Sequence, residues 1–196
     1  MNKDQVSTAD NPVHYSAFLP SLVAARAPLP LPIQSDFCIE LCGDAGYAWR
    51  NIGGLSLEAA YDKFSGDPEI NQEDFMWMFP KAFEYYYPVV DRYLRSADIS
   101  DEFYHFDDGC QAWILGHCLE SQFHWKDGSR PPEYVVAEIR ELAQFVRHHL
   151  HHYSPDPTEH ERIDACWEKL QATLFKVVNQ GEQGSGGNSA ALRASL

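Results

Sequence analysis

Four histidines crowd the stretch RHHLHHYSPD, at positions His148, His149, His151 and His152. Histidine is the commonest metal ligand among side chains and changes charge near neutral pH, so the cluster could hold a metal ion or move protons. Side chains four residues apart share one face of a helix, which makes His148 and His152 the pair able to hold one ion. A zinc site in a protein needs three or four ligands, and His160 across the following turn is the candidate third.

The helix expected around this cluster favours a simpler interpretation. One amphipathic helix over residues 132–153 places the histidines in its last turns, where the negative end of the helix dipole favours their protonated form. Glu141 lies two turns from His148 and His152, too far to share a metal with them, and no HExxH or other zinc spacing is present. We therefore expect a solvated helix end with no metal and no other cofactor. A metal-dependent enzyme using His148, His152 and His160 is the first alternative.

No other residues form a recognisable catalytic arrangement. His117 and Cys118 are adjacent, but neighbouring helical side chains point about 100 degrees apart and do not face one another as a nucleophile and its base. Cys118 also follows Cys110 by two helical turns on an apolar face, which predicts a core cysteine. Asp107 and Asp108 suit a helix start better than a metal site. Because GxGxxG, P-loop and GxSxG motifs are absent from the sequence, we predict no catalytic residues and a protein that is not an enzyme.

The composition indicates one acidic domain. The chain has 196 residues, 44% of them hydrophobic, which is enough for one sizeable core. Its 29 acidic and 15 basic residues give a formal net charge of -14, which disfavours binding to nucleic acid or anionic membranes and favours a basic protein partner. Cysteines without a CxxC motif, a polar N-terminus and the absence of an apolar run of about 18 residues predict a cytoplasmic protein without membrane spans.

Apolar periodicity predicts a mainly α fold, a single-domain helical bundle with an irregular N-terminal part rich in proline and glycine. We expect residues 1–12 to be a flexible lead, residues 13–178 one helical domain, and residues 179–196 a disordered tail. The N-terminal part should hold a short helix, the extended connector APLPLPI, and a helix over LSLEAAYDKF capped by Ser56. The pattern predicts no definite structure for residues 36–55.

Four longer helices are predicted in the rest of the chain. The first begins near Pro80 and is kinked or split by Pro88. The second follows the acidic loop, the third spans 132–153, and the fourth opens at Thr158 with a capping box to Glu161. Their predicted buried stripes are, in order, Phe83, Tyr86, Tyr87, Val90 and Leu94; Cys110, Trp113, Ile114, Cys118 and Phe123; Val135, Ile139, Leu142, Val146, Leu150 and Tyr153; and Ile163, Cys166 or Trp167, Leu170 and Leu174.

The excess of acid lies in the middle of the chain. Between Asp36 and Arg130 there are 18 acidic and 7 basic residues. Two stretches without a base, DISDEFYHFDD and DPEINQED, hold many of these acids, and the first adds aromatic residues. Exposed aromatic side chains anchor protein interfaces, and surrounding carboxylates steer a basic partner. The predicted partner-binding residues are Asp98, Asp101, Glu102, Phe103, Tyr104, Asp107 and Asp108 in the first stretch, and Asp67, Glu69, Glu73 and Asp74 in the second.

The stretch FPKAFEYYYPVVDRYLR, followed by a long helix with ELAQFVRHHLHHY and a closing helix that contains tryptophan, resembles a family of small, mostly helical bacterial proteins. Such proteins have no known biochemistry, occur beside secreted polymorphic toxins and are regarded as immunity proteins. The resemblance covers residues 75–178, implies toxin binding and transfers no catalytic residue. The proline-rich front end and the acidic loop around Asp101 depart from the pattern and could carry a specific partner contact.

Charge and resemblance predict the same function. We expect a cytoplasmic immunity protein that blocks the active site or substrate groove of a basic toxin, specifically a nuclease effector delivered by a neighbouring cell, as in type VI secretion, because proteins that engage nucleic acid carry basic surfaces. Association should slow at high salt, and charge reversal at Asp101, Glu102, Asp107 and Asp108 should weaken it. Besides the metal-dependent enzyme, the remaining alternative is a structural or adaptor bundle whose partner is neither basic nor harmful.

Overall fold

The structure is a computed structural model that describes residues 22–38, 40, 43–96 and 112–185. Within these ranges the chain is helical and has no β-strand, and its one extended pairing is an isolated antiparallel bridge between Phe37 and Met78. The predicted mainly α, single-domain class is confirmed. None of the described helices is long and apolar enough to cross a membrane. The expected lead, residues 1–12, and residues 186–196 of the expected tail lie outside the described ranges.

The described residues form eight α-helices. The first described segment, α1, is helical over residues 22–26. The others are α2 (Gly43–Ile52), α3 (Leu57–Gly66), α4 (Pro68–Asn71), α5 (Pro80–Ser96), α6 (Ala112–Ser121), α7 (Glu133–His148) and α8 (Pro157–Ser185). Short 3-10 turns connect them at Gln34–Asp36, Gln72–Trp77 and Leu150–His152.

Several helix starts follow directly from the local sequence. The Ser56 hydroxyl oxygen accepts a hydrogen bond from the Ala59 amide at 3.3 Å and so caps α3 as predicted. α5 begins at Pro80, also as predicted. α2 lies in the stretch for which the sequence predicted no definite structure. Its buried residues are Ala45, Ala48 and Ile52, a helical spacing that the surrounding glycines obscure.

α5 passes through Pro88 without interruption, so the split that Pro88 could have caused does not occur. Proline lacks an amide hydrogen, which leaves the carbonyl oxygen of Glu84, one turn earlier, without its helical donor. The Nε of Arg26 donates a hydrogen bond to this oxygen at 3.0 Å. A side chain from α1 therefore replaces the backbone bond that the proline removes.

Arg26 is fully buried and joins three helices. Its Nη1 and Nη2 donate to the two carboxylate oxygens of Glu138 on α7, at 2.7 and 2.5 Å. The guanidinium also lies 5.9 Å from the ring centroid of Tyr87 and 5.0 Å from that of Tyr134. The cation thus meets a carboxylate, a carbonyl oxygen and two aromatic rings, which offset the cost of removing it from water.

α5 lies in the core between α3 and α7. Its predicted stripe is confirmed, since Phe83, Tyr86, Tyr87, Val90 and Leu94 are all buried. A charged residue, Asp91, is buried beside them and accepts hydrogen bonds from the Tyr87 hydroxyl at 3.1 Å and from Arg95 Nε at 2.9 Å. These hydrogen bonds offset the cost of burying a carboxylate in apolar surroundings.

α6 packs closely against α8 at Gly116. The Trp167 indole nitrogen donates a hydrogen bond to the Ala112 carbonyl oxygen at 3.0 Å, and the Trp167 ring lies over Gly116. Cys118 is buried as predicted, but Trp113 and Ile114 are only half-buried, and Leu115 and Leu119 are the residues of α6 that fill the core. The predicted stripe was partly wrong because α6 is apolar on most sides, so periodicity could not select one face.

The predicted boundaries of the last two helices need correction. α7 ends at His148 and not at Tyr153, and a 3-10 turn then brings the Tyr153 hydroxyl to the Leu94 carbonyl oxygen at 2.8 Å. α8 is capped by Asp156, whose carboxylate accepts from the Thr158 amide at 2.9 Å, so Thr158 is not the cap. α8 buries Ile163, Trp167, Leu170 and Leu174, leaves Cys166 half-buried, and continues past residue 179 to Ser185.

Replacing Arg26 with alanine should destabilise the protein severely. The change leaves Glu138 without its partner and the Glu84 carbonyl without a donor, and breaking a buried ion pair of this kind costs about 3–5 kcal/mol. The control is Lys81→Ala, which removes the exposed pair between Lys81 and Asp36 and should cost less than about 1 kcal/mol. Urea unfolding measures both values, and equal losses would show that Arg26 does not join the helices as described.

Adding a single methyl group at Gly116 should also destabilise the protein. A Cβ there would lie 2.9 Å from the Trp167 indole nitrogen and 3.2 Å from the Cys166 sulfur, so Gly116→Ala should cost about 1–3 kcal/mol through overpacking. Gly46→Ala is the matched control, because its Cβ would meet only Arg50 at 3.5 Å and helix propensity should favour it by about 1 kcal/mol. Thermal unfolding of the two variants should therefore shift in opposite directions.

Candidate functional site

The histidine cluster does not form the pair that a continuous helix would have made. α7 ends at His148, and His149 leaves the helix with φ -125 and ψ 34 degrees. His148 and His152 are therefore not on one helical face. His148 Nδ1 lies at hydrogen-bond distance, 2.6 Å, from the Gln144 carbonyl oxygen, and His160 Nε2 lies 2.6 Å from the Ser154 carbonyl oxygen. In the part of the chain that the structure describes, no group of three or more His, Cys, Asp or Glu residues is placed to hold a metal ion.

The histidine rings instead pack on one another. The rings of His149 and His152 are stacked with centroids 5.0 Å apart, and those of His151 and His152 are 4.0 Å apart. Phe145 extends the stack on the other side of His149 at 4.3 Å. Burial, followed by the neighbouring His151 and His149, lowers the pKa of His152 to about 4. His152 is consequently neutral at pH 7 and acts as an aromatic packing group.

The thiols of Cys38 and Cys118 are also buried and hydrogen-bonded. Cys118 donates to the Gln72 carbonyl oxygen at 3.4 Å, and burial raises the pKa of its thiol. The neighbouring His117 is exposed, so the two side chains do not meet. Cys38 lines an open cleft of about 720 Å³ near Phe37 and Phe79, but its thiol donates to the Trp77 carbonyl oxygen at 3.0 Å. The raised pKa of Cys118 and the hydrogen bonds that both thiols donate disfavour a role as nucleophile.

The second acidic stretch, DPEINQED, forms a compact turn made of α4 and the 3-10 turn that follows it. We call residues 67–74 the acidic turn. Asp67, Glu69 and Glu73 are exposed, and none of them forms an ion pair with another described residue. Ile70 lies among them with 58% of its surface exposed. The acidic turn thus exposes one apolar side chain together with three carboxylates of residues close to it in sequence.

Ile70 was not among the residues predicted from sequence. The signal was present, however, because its neighbours at helical spacing are Gly66, Asp67, Glu73 and Asp74. An isoleucine without an apolar neighbour three or four residues away cannot join a buried stripe. Such a residue is either exposed or buried alone, and here it is exposed.

Asp74 does not share the exposed face that was predicted for it. Asp74 is 4% exposed, and its carboxylate faces Asn51 on α2. The Asn51 amide nitrogen on α2 donates to Asp74 Oδ2 and to Asn71 Oδ1, each at 2.5 Å, and Asn71 in turn donates to the Lys63 carbonyl oxygen at 3.2 Å. Burial raises the pKa of Asp74 to about 6, although Asn51 and Lys63 act in the opposite direction. A buried position removes Asp74 from direct contact with a partner.

The first acidic stretch lies outside the described residues. It holds the predicted partner-binding residues Asp98, Asp101, Glu102, Phe103, Tyr104, Asp107 and Asp108. Of the predicted surface, the structure therefore places Asp67, Glu69 and Glu73 together and separates Asp74 from them.

No family model, curated protein or solved structure matches the sequence. Arguments about function therefore rest mainly on the residues of this chain and on the geometry given above, and the resemblance of residues 75–178 to immunity proteins stays a prediction.

The stability of the protein should fall in acid because of His152. Its pKa in the folded protein, about 4, is below the ordinary value of 6.5, so the unfolded chain binds the proton more tightly. The contribution of His152 to stability is fully present above pH 6.5 and is lost as the pH falls towards 4. His152→Phe keeps an aromatic ring but cannot bind a proton. After allowance for solvent screening, its free energy of unfolding should fall less in acid than that of the wild type, by roughly 1 kcal/mol.

The control for His152 is His148→Phe, because His148 is exposed. Melting temperatures at pH 7 and pH 4.5 compare the two variants with the wild type. If both variants lose stability in acid as the wild type does, His152 is not the group responsible.

Proposed function

We propose that this chain is an immunity protein that works by binding: it neutralises a basic secreted toxin, specifically a nuclease effector, in the cytoplasm. The observation that carries the proposal is the surface of the acidic turn, which exposes Ile70 together with the unpaired carboxylates of Asp67, Glu69 and Glu73. The net charge of -14 supports it, because a chain this acidic attracts basic proteins at long range.

The acidic turn combines the two features that a protein interface needs. Burying an isoleucine side chain in a partner's pocket is worth about 1.5–3 kcal/mol. The carboxylates around Ile70 speed the encounter with a basic partner and disfavour acidic proteins, since like charges would be brought together. Binding affinity would come mainly from the apolar contact, and selectivity from the charges.

A nuclease has the complementary surface. An enzyme that cleaves nucleic acid holds phosphate groups with lysine and arginine side chains, and these side chains form a basic groove. Carboxylates from an inhibitor can occupy the positions of the phosphates and exclude the substrate. The resemblance of residues 75–178 to immunity proteins found beside toxins supports the same proposal.

The proposal is tested by capture of partners from the source cell on purified protein at low salt. Three baits are compared: the wild type, the double variant Glu69→Lys with Glu73→Lys, and a control with Glu141→Lys and Glu161→Lys. The control residues are exposed on α7 and α8, and both double variants change the net charge equally. Candidate toxins retained by the wild type are then expressed in a sensitive host with and without each bait.

We expect a basic protein to bind the wild type and the control, and to be lost from the Glu69/Glu73 variant together with protection of the host. Salt should slow its association. Equal capture by all three baits would show that the acidic turn is not the interface. A specific partner that is neither basic nor harmful would overturn the immunity function and leave an adaptor.

A further inference from the structure

The inner face of the acidic turn holds a buried acid that the proposed interface does not use. Asp74 is 4% exposed, and Asn71, which shares the amide of Asn51 with it, is 3% exposed. The shared amide donates to both side chains at 2.5 Å and so ties the acidic turn to α2. Asn71 continues the network to the Lys63 carbonyl oxygen at the end of α3. The position of Ile70, next to Asn71, depends on this network.

Burial favours the neutral form of Asp74 and outweighs Asn51 and Lys63, which favour the ionised form. From α2 it meets the uncharged amide of Asn51, and from α3 the cation of Lys63 acts on it at longer range. On its own turn the Glu73 carboxylate is exposed to water, and from α6 the uncharged thiol of Cys118 is the titratable neighbour. α6 also holds the backbone beside Asp74, since the Gln122 side chain donates to the Phe75 carbonyl oxygen at 2.8 Å. A buried carboxylate with an amide donor and no direct cation contact is costly when ionised.

We propose that Asp74 is a protonation switch for the acidic turn: the protonated acid closes the turn on α2, and the ionised acid loosens it towards water. The switch sets how firmly Ile70 and its neighbouring carboxylates are held for a partner. Its use in binding rests on the proposed function, whereas the coupling between Asp74 and the turn is a property of the free chain.

The direction of the effect follows from the two states of Asp74. Burial raises its pKa to about 6 in the closed turn, against an ordinary value of 3.8 when the side chain reaches water. The closed turn therefore binds the proton more tightly, so acid favours closure and neutral pH favours opening. Given these two pKa values, lowering the pH from 7.5 to 5 should raise the ratio of closed to open turn by about tenfold.

Hydrogen exchange of the backbone amides of residues 70–75 tests the switch in the free, full-length protein. The samples are the wild type, Asp74→Asn, and Glu73→Gln as a control that removes one exposed charge from the same turn. Rates are measured at pH 7.5 and pH 5 and corrected for the intrinsic pH dependence of exchange. We expect protection in the wild type and in Glu73→Gln to rise about tenfold at pH 5. Protection in Asp74→Asn should be high and the same at both pH values.

The switch would be overturned if protection changed with pH as much in Asp74→Asn as in the wild type, or if it did not change in the wild type. Circular dichroism checks that the variant is folded. The chemical shift of the Asp74 carboxyl carbon, followed by NMR against pH in the wild type, gives a second measurement that needs no variant. A titration midpoint near pH 6 supports the switch, and a titration midpoint near pH 4 overturns it. Since no partner is present, these results are independent of whether a toxin is captured.

Discussion

A buried cation, Arg26, joins the N-terminal segment to the rest of the bundle. Its guanidinium meets Glu138 on α7 and the Glu84 carbonyl oxygen on α5, and all of its surface is buried. The contact with Glu84 exists because Pro88 removed the helical donor to that oxygen. A proline that would ordinarily weaken α5 thus creates the acceptor that holds α1. The proline and the arginine are far apart in sequence, and each compensates for the other.

Buried polar groups recur in this bundle and are bonded to groups on other helices. Glu120 on α6 accepts hydrogen bonds from Lys169 and Thr173 on α8, at 3.2 and 3.3 Å. Asn51 on α2 similarly bonds two residues of the acidic turn. Because a buried polar group without its partner is costly, each such contact disfavours other arrangements of the helices. These contacts therefore select one packing among the several that apolar stripes alone would permit.

The acidic turn divides its carboxylates between two tasks. Glu69 and Glu73 face water, where they can steer a partner, whereas Asp74 faces α2, where it can only affect the shape of the turn. The histidine cluster shows a similar division, since His148 is exposed and His152 packs in a ring stack. In both places residues of one chemical type, close in sequence, have different environments. A run of charges or histidines is therefore a poor guide to the role of any one member.

The amino-acid sequence by itself determined the mainly α class, the Ser56 cap of α3, the start of α5 at Pro80, and the buried stripes of α5 and α8, because these depend on local hydrogen bonds and on helical periodicity. It also located the carboxylates of the acidic turn. Only the tertiary structure decided that Pro88 does not split α5, that α7 ends at His148 and that Asp74 is buried. Each of these depends on a partner distant in sequence, such as Arg26 or Asn51, and pairwise contacts over such distances leave no local pattern.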